Sequence, residues 1–352
     1  MAARRQKKKE PERKLRILSL VHPDLVPPDE VEDASTVPAA PWKTEYDVIH
    51  ALRELGHEVH IQTVGGELGG IRNAMFEFKP HLAFNMLEGF DDVVTFEANV
   101  VAYLELLKLP YSGCNSRGLL LARDKALAKK ILSYHRIPAP DFAIVPKGRR
   151  FRRPRRLEFP LFVKSLTLDA SIGISQASVV EDEPKLQERV RFVHESLGTD
   201  ALVERFIDGR ELYVGVMGNH QLRALPIWEL LFTKMPEEVR RIATERLKWS
   251  LTYQKKHGIV SEEAKDLTPA QVAKIQELCK KVYRVLNLSG YARIDLRLAA
   301  DGKVYVLEAN PNPQLSRDED FACAAKQAGI AYPDLVQKIV ELGLRWEPTR
   351  WG

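Results

Sequence analysis

Tyr291-Ala292-Arg293-Ile294-Asp295-Leu296-Arg297-Leu298 and Val304-Tyr305-Val306-Leu307-Glu308 read as two strands pairing across an Asp301-Gly302 turn. Arg293 and Asp295 stand two apart on the first strand and so point to one face; Glu308 and Asn310 are likewise two apart at the end of the second. Burying this set in an otherwise apolar strand pair is costly unless a metal or counter-ion compensates. All-oxygen donors of this kind suit Mg²⁺ held together with substrate phosphates. A purely structural Arg–Asp–Glu network is the other reading. Proline on both sides of Asn312 stiffens the loop that follows Asn310.

Upstream, strand and helix signals alternate. Leu15–Val21 reads as a buried strand, followed by a Pro- and acid-rich loop from Pro23 to Pro41. Tyr46, Ile49, Leu52 and Leu55 recur at helical spacing, with Gly56 as the stop. Glu58–Gln62 and Leu82–Asn85 read as further strands. This rhythm predicts an open parallel sheet ending near Tyr111, with ligands at its C-terminal strand ends, where Glu88 lies. A second unit opens on Arg123-Asp124-Lys125 at the head of a helix. Strands at 143–145, 161–164, 201–204, 211–217 and 222–228 follow, with one helix near 185–195. The stretch from Pro236 to Ala264 reads as polar and helical, and Pro269–Leu286 as a long helix. The fold class is α/β, passing to α+β in its later part.

Composition narrows the function classes. The chain has 352 residues, 45% apolar and 29% charged, as an ordinary globular protein does. Its net charge of +5 is concentrated in Arg4–Lys9 and Arg149–Arg156; the remainder is acidic, so neither a nucleic-acid nor a membrane partner is expected. Residues 1–13 read as a basic solvated tail, and the Arg149–Arg156 run as a hairpin tip. Three widely spaced cysteines argue against disulfides or a thiolate zinc site and fit a reducing, cytoplasmic setting. No apolar run approaches membrane-spanning length, and none follows the basic N-terminus as a secretory signal requires.

Three further places carry chemistry. Lys164 closes the apolar strand Leu161-Phe162-Val163 before the loop Ser165–Ile174, where it either reaches phosphates or is simply solvated. Val203-Glu204-Arg205-Phe206-Ile207-Asp208-Gly209-Arg210-Glu211 reads as strand, turn and strand. Its two glutamates could accept from an adenine amino group and ribose hydroxyls, or make ordinary ion pairs. Lys255-Lys256-His257-Gly258 is either a catalytic flap or a polar loop.

Together these pieces resemble the ATP-grasp superfamily, and within it the D-alanine–D-alanine ligase family, from about Leu15 to Leu344. The resemblance rests on Asp124-Lys125-Ala126-Leu127-Ala128-Lys129, Phe162-Val163-Lys164 with Ala170–Ile174, Val203–Glu211, Arg293-Ile294-Asp295 and Glu308-Ala309-Asn310-x-x-Pro313. It implies a basic tail over 1–13, an N-terminal α/β domain over 14–112, a central ATP-grasp lobe over 113–230 and a C-terminal lobe over 231–352. It also implies that Lys125, Lys164 and Ser171 meet the ATP phosphates. Glu204 and the Ile207 backbone would hold adenine, and Glu211 the ribose. Lys256 would reach the γ-phosphate. Asp295, Glu308 and Asn310 would hold two Mg²⁺ ions, with Mn²⁺ able to substitute, and Arg293 would stabilise an oxyanion. The implied reaction joins a small carboxylate to an amine through an acylphosphate, in an enzyme that is commonly a homodimer.

The departures gather on the substrate side. After the first strand, Val21-His22-Pro23-Asp24-Leu25 replaces the family's Gly-Gly-x-Ser-x-Glu turn. Glu88 stands at the histidine of Leu-His-Gly, Ala170 at a serine, His257 at a tyrosine and Gln314 at the glycine of Pro-Gly-Met. Glu319 stands where a serine meets the second substrate's carboxylate, and like charges there are unfavourable. The expectation is a ligase with other substrates, its acceptor amine carrying cationic character that Glu88 or Glu319 pairs. A true D-alanine–D-alanine ligase and a catalytically silent ATP-binding protein are the alternatives.

Overall fold

The computed structural model describes residues 14–31, 34–168, 171–236 and 239–347. The chain begins with β1 (Arg16–Val21), α1 (Lys43–Glu54), β2 (Glu58–Thr63), α2 (Gly69–Glu77), β3 (Leu82–Asn85) and α3 (Glu97–Leu106). The three strands form a parallel sheet in the order β2-β1-β3. β1 lies centrally and is apolar on both faces because both are covered. Ile17, Leu82 and Phe84 face α1, while Leu18, Leu20 and Ala83 face the side of α2 and α3.

α4 (Ser116–Arg123) and α5 (Lys125–Tyr134) lead into the next unit. Asn115 caps the first through the Gly118 amide, and Asp124 caps the second through the Leu127 amide, as Arg123-Asp124-Lys125 predicts. β4 (Phe142–Val145), β5 (Leu161–Ser165), β6 (Val179–Val180), α6 (Glu183–Ser196) and β7 (Ala201–Arg205) then build a four-stranded sheet, order β4-β7-β5-β6. Its core of Leu161, Val163, Leu186, Val190, Val193 and Val203 is drawn from within this unit alone.

β8 (Arg210–Met217), β9 (Arg223–Phe232), α7 (Glu245–Trp249), α8 (Leu251–His257), β10 (Ile259–Glu263), α9 (Pro269–Val285), β11 (Tyr291–Leu298), β12 (Val304–Pro311), α10 (Asp320–Gln327) and α11 (Tyr332–Leu344) complete the chain. Their five strands form an antiparallel sheet, β10-β9-β8-β11-β12. Two details differ from the sequence reading and one extends it. The strand, turn and strand read over 203–211 are present, and the structure adds that residues 206–209 carry the chain from one sheet to the other, so β8 and β9 pair with β11 and not with β7. The stretch expected to be helical up to Ala264 ends in β10, whose Ile259 and Val260 pair with Phe232 and Leu231 to extend β9's edge. β9 runs on to Phe232, and its Pro226 falls where the β8–β9 register skips Gly215, a bulge that needs no donor from proline.

The last two helices return to the first sheet. Leu335, Val336, Ile339 and Val340 of α11 pack with Val48 and Leu52 of α1 and with Phe84. Ile339 is fully buried there. Ile339→Ala should cost roughly 2–5 kcal/mol, read as a lowered urea midpoint.

Candidate active site

The β11–β12 register places Arg293 opposite Asn310 and Asp295 opposite Glu308, so all four side chains share one face of the sheet. The same face continues onto β8, where Tyr213 pairs with Asp295 and Glu211 with Arg297. Arg293 donates twice to Asp295, at 2.8 and 2.9 Å, and stacks over the Tyr213 ring at 4.8 Å. Arg297 donates to Glu211 at 2.7 Å and to the Gly209 carbonyl, and Tyr213 donates to Glu211 at 2.9 Å. Glu211 is thus fixed from two sides at the point where the chain crosses between sheets.

The four-stranded sheet supplies the opposite wall. Glu204 of β7 is buried between Lys129 of α5 at 2.8 Å and Lys164 of β5 at 3.1 Å. Burial pushes the Glu204 carboxyl up, but the two ammonium groups outweigh it and hold the group below its ordinary range, hence ionised. Burial lowers the Lys129 ammonium against the pull of Glu204, and repulsion from Lys164 adds to the lowering. Lys164 also lies 3.9 Å from Glu308, linking the two walls. Lys125 donates to the Leu168 carbonyl at 2.8 Å, which ties α5 to the loop after β5. Ser165 anchors that loop's base by accepting from the Thr167 and Leu168 amides. Its far end is held by the Gly173 amide donating to Glu245.

One cleft between the sheets is lined by Lys125, Lys164, Ser171, Glu204, Ile207, Glu211, Asp295 and Glu308, with Phe162, Phe206 and Ile242 as apolar walls. Eight sequence-predicted residues therefore converge. Arg293 and Asn310 flank this set through their strand register. Lys256 and His257 do not line the cleft: they sit in the last turn of α8, with Lys256 exposed and the His257 ring 4.3 Å from that of Tyr253. Glu88, Gln314 and Glu319 do not line the cleft either: the first two are exposed and Glu319 precedes α10, while Ala170 lies outside the described residues.

The donor set fits a divalent cation. Asp295 and Glu308 offer carboxylates, and Asn310 offers an amide whose buried Nδ2 has no hydrogen-bond partner. Among the described residues no three His, Cys, Asp or Glu side chains converge on an ion by themselves. Two carboxylates and an amide leave coordination positions for phosphate oxygens, the habit of Mg²⁺ rather than of an all-protein cage. The loop after Asn310 is set from the first domain: Asn312 accepts from the Cys114 amide at 2.7 Å and donates to buried Glu97 at 2.9 Å. Gly113, with φ +92°, leaves the space that the Asn312 side chain fills.

Two buried groups escaped the sequence reading. Lys129 is four residues after Lys125, on the same helix face, a spacing that could have flagged it. Glu45 breaks the buried stripe of α1, in the segment where no substrate carboxylate was expected; it is 4% exposed and its Oε2 has no partner. Burial, with a smaller push from nearby Glu88, raises the Glu45 carboxyl to about 7 against the lowering by a backbone hydrogen bond.

Residues 131–341 match the family model described as the D-ala D-ala ligase C-terminus. An uncharacterized protein, y4sG, of Sinorhizobium fredii is 30% identical over 88% of this chain and 90% of its own length. The D-alanine–D-alanine ligase of Desulforudis audaxviator is 31% identical over 84% of this chain and 90% of its own. The Bacillus anthracis D-alanine–D-alanine ligase solved in complex with ATP superposes with a TM-score of 0.70 at 24% identity, covering 94% of this chain and 98% of that one.

Two consequences follow from the buried charges. Lys129→Met strips one of two cations from a buried carboxylate and should cost about 3 kcal/mol, seen as a lower thermal midpoint that adding Glu204→Gln partly restores. Because the folded-state Glu45 is raised above its unfolded value, the folded protein binds the extra proton, and wild-type stability falls as pH rises from 4.5 through 7. The stability of Glu45→Gln relative to wild type should therefore increase by about 3 kcal/mol between pH 4 and pH 8, measured by urea unfolding.

Proposed function

Because the chain belongs to the D-alanine–D-alanine ligase family of ATP-grasp enzymes, ADP-forming ligases that act on small molecules with ATP and a divalent metal, we propose how its own residues divide that work. The observation that carries the reading is the cross-strand pairing of Arg293 with Asn310 and Asp295 with Glu308, opposite Lys125 and Lys164 across one cleft.

Adenine lies against Phe162, Phe206 and Ile207, with Glu204 and the Ile207 backbone reading its edge and Glu211 taking the ribose. Lys125, Lys164 and the Ser171 loop receive the phosphates. Asp295, Glu308 and Asn310 would hold two Mg²⁺ ions, for which Mn²⁺ could substitute, and bound ions would supply charge neutralisation at the transferring phosphoryl group. The Lys164–Glu308 approach of 3.9 Å gives way as phosphate arrives, so Lys164 exchanges one anion for another at little cost. The donor carboxylate attacks the γ-phosphorus and ADP leaves, giving an acylphosphate. An amine then attacks the acyl carbon, the C–O bond to phosphate breaks, and an amide forms. Arg293, beside the metal set, stabilises the oxyanion of the tetrahedral intermediate. Lys256 joins the γ-phosphate only when the segment carrying α7 and α8 closes over the cleft. The family's common dimer, formed through the N-terminal domain, is carried over here as part of the same reading.

Hydroxylamine tests this without knowledge of the natural amine, because it traps an acylphosphate as a hydroxamate. Incubation with Mg·ATP, hydroxylamine and a panel of amino acids as carboxylates should release ADP and hydroxamate together, and chelation of the metal should abolish both. Asp295→Asn should slow ADP release by roughly 100-fold, and Arg293→Met by roughly 100- to 1,000-fold. ATP bound without phosphate release under any carboxylate would mark a silent nucleotide-binding protein. Robust turnover with D-alanine alone would mark a true D-alanine–D-alanine ligase.

A further inference from the structure

Residues 171–174 end the loop after β5 in a tight turn, closed by the Ile174 amide donating to the Ser171 carbonyl at 2.9 Å. Two of its residues are left-handed, Ser171 at φ +60° and Gly173 at φ +73°. An L side chain keeps that conformation only where its surroundings hold it. Ser171, Ile172 and Ile174 line the cleft, whereas Gly173 does not. Both polar groups of Gly173 are taken up: its carbonyl accepts from Arg189 of α6, and its amide donates to Glu245 of α7 at 2.6 Å. The Glu245 amide in turn donates to the Ile174 carbonyl at 3.0 Å, so one residue grips the turn at two points.

Glu245 is itself held from the far side of the cleft. It follows Thr244, which caps α7 through the Leu247 amide at 3.2 Å, and Leu247 packs with Tyr213 and Leu230 of the five-stranded sheet. The Arg241 carbonyl accepts at 2.9 Å from Arg297, the residue that also fixes Glu211. Ile242 and Ala243, between these anchors, line the cleft. Residues 240–247 therefore form a strap from the five-stranded sheet to the turn. Two further ties bypass the turn: Gln176 donates to the Arg240 carbonyl at 3.0 Å, and Arg240 pairs with Glu181 at 2.8 Å. Among the described residues of the strap, Glu245 is the one hydrogen-bonded to the turn.

We infer that Glu245 is a positioning residue of the nucleotide site, acting on the phosphates through the turn it holds. This rests on the reading above that the Ser171 loop receives the phosphates. Two effects of the carboxylate oppose each other. Its charge beside the turn repels a triphosphate. Its hydrogen bond to Gly173 keeps the turn in one conformation, sparing the reorganisation that phosphate binding would otherwise require. Glu245 is exposed, so solvent screens its charge and the positioning effect prevails. An exposed hydrogen bond also adds little to overall stability, so its loss is felt locally, in the turn.

Calorimetric titration of the full chain, in the presence of Mg²⁺, with β,γ-methylene ATP and separately with adenosine tests this. Glu245→Ala should weaken binding of the triphosphate roughly tenfold, the hold of one hydrogen bond, and leave adenosine affinity and the urea midpoint unchanged. Glu245→Gln keeps a side-chain carbonyl to accept from Gly173 but carries no charge, and should restore triphosphate affinity to the wild-type value or above. Tighter triphosphate binding by both variants would mean that only the charge matters. Equal weakening of both ligands by Glu245→Ala would mean a merely structural role. Either result, or a triphosphate affinity unmoved by Glu245→Ala, overturns the positioning role alone. Failure of the wild-type chain to bind the triphosphate overturns the ligase reading and the positioning role with it.

Discussion

Everything in the cleft depends on the pairing of β11 with β12. Because side chains alternate strictly along a strand, slipping this pair by one residue would bury Ile294 and Ala309 where Asp295 and Glu308 now stand. The register is fixed from several directions. The turn after Leu298 closes with Ala299 and Lys303 hydrogen-bonded; β8 pairs along the whole length of β11; and the Val306 amide donates to the Pro138 carbonyl. The polar face is thus a by-product of an apolar one: Ile294, Leu296 and Ala309 pack into the main core, and their alternation with Arg293, Asp295, Glu308 and Asn310 leaves the charged residues no other direction to point, while the bulge at Leu307 returns Val306 to the core side.

Opposing charges across the cleft form a chain rather than isolated pairs. Lys129, Glu204, Lys164 and Glu308 run from one sheet to the other, each charge partly compensated by the next. Such a chain is weak evidence for stability, since desolvation offsets most of the attraction. Its value lies in orientation: a lysine already stripped of water and aimed at a carboxylate needs little reorganisation to meet a phosphate instead. Glu204 is therefore both an adenine-edge candidate and the anion that keeps two lysines in place, a double duty that its linear position did not reveal.

The legible parts were those that write themselves into local pattern. Alternation around Arg293, Asp295, Glu308 and Asn310, the Asp124 cap and the apolar strand before Lys164 were all readable, and the structure gathers most of the named residues around one cleft. What escaped was set by tertiary arrangement. Glu204 to Glu211 read as strand, turn and strand, which left open whether the two strands pair with each other, and they lie in different sheets. β10 was taken for helix, since Val260-Ser261-Glu262-Glu263 alternates only weakly and gains its strand character from β9's open edge. Glu45 was hidden by its neighbours: a carboxylate one residue from Tyr46 reads as solvent-facing until the helix is docked.

The four residues 206–209 that separate β7 from β8 give the molecule a property beyond its chemistry. The four-stranded sheet owns its core, and few apolar contacts weld it to the rest. It is thus built as a unit able to swing or loosen by itself, the low end of a local-stability scale. A nucleotide lodged between the sheets would act as a strut, supplying the cohesion that the polypeptide leaves out.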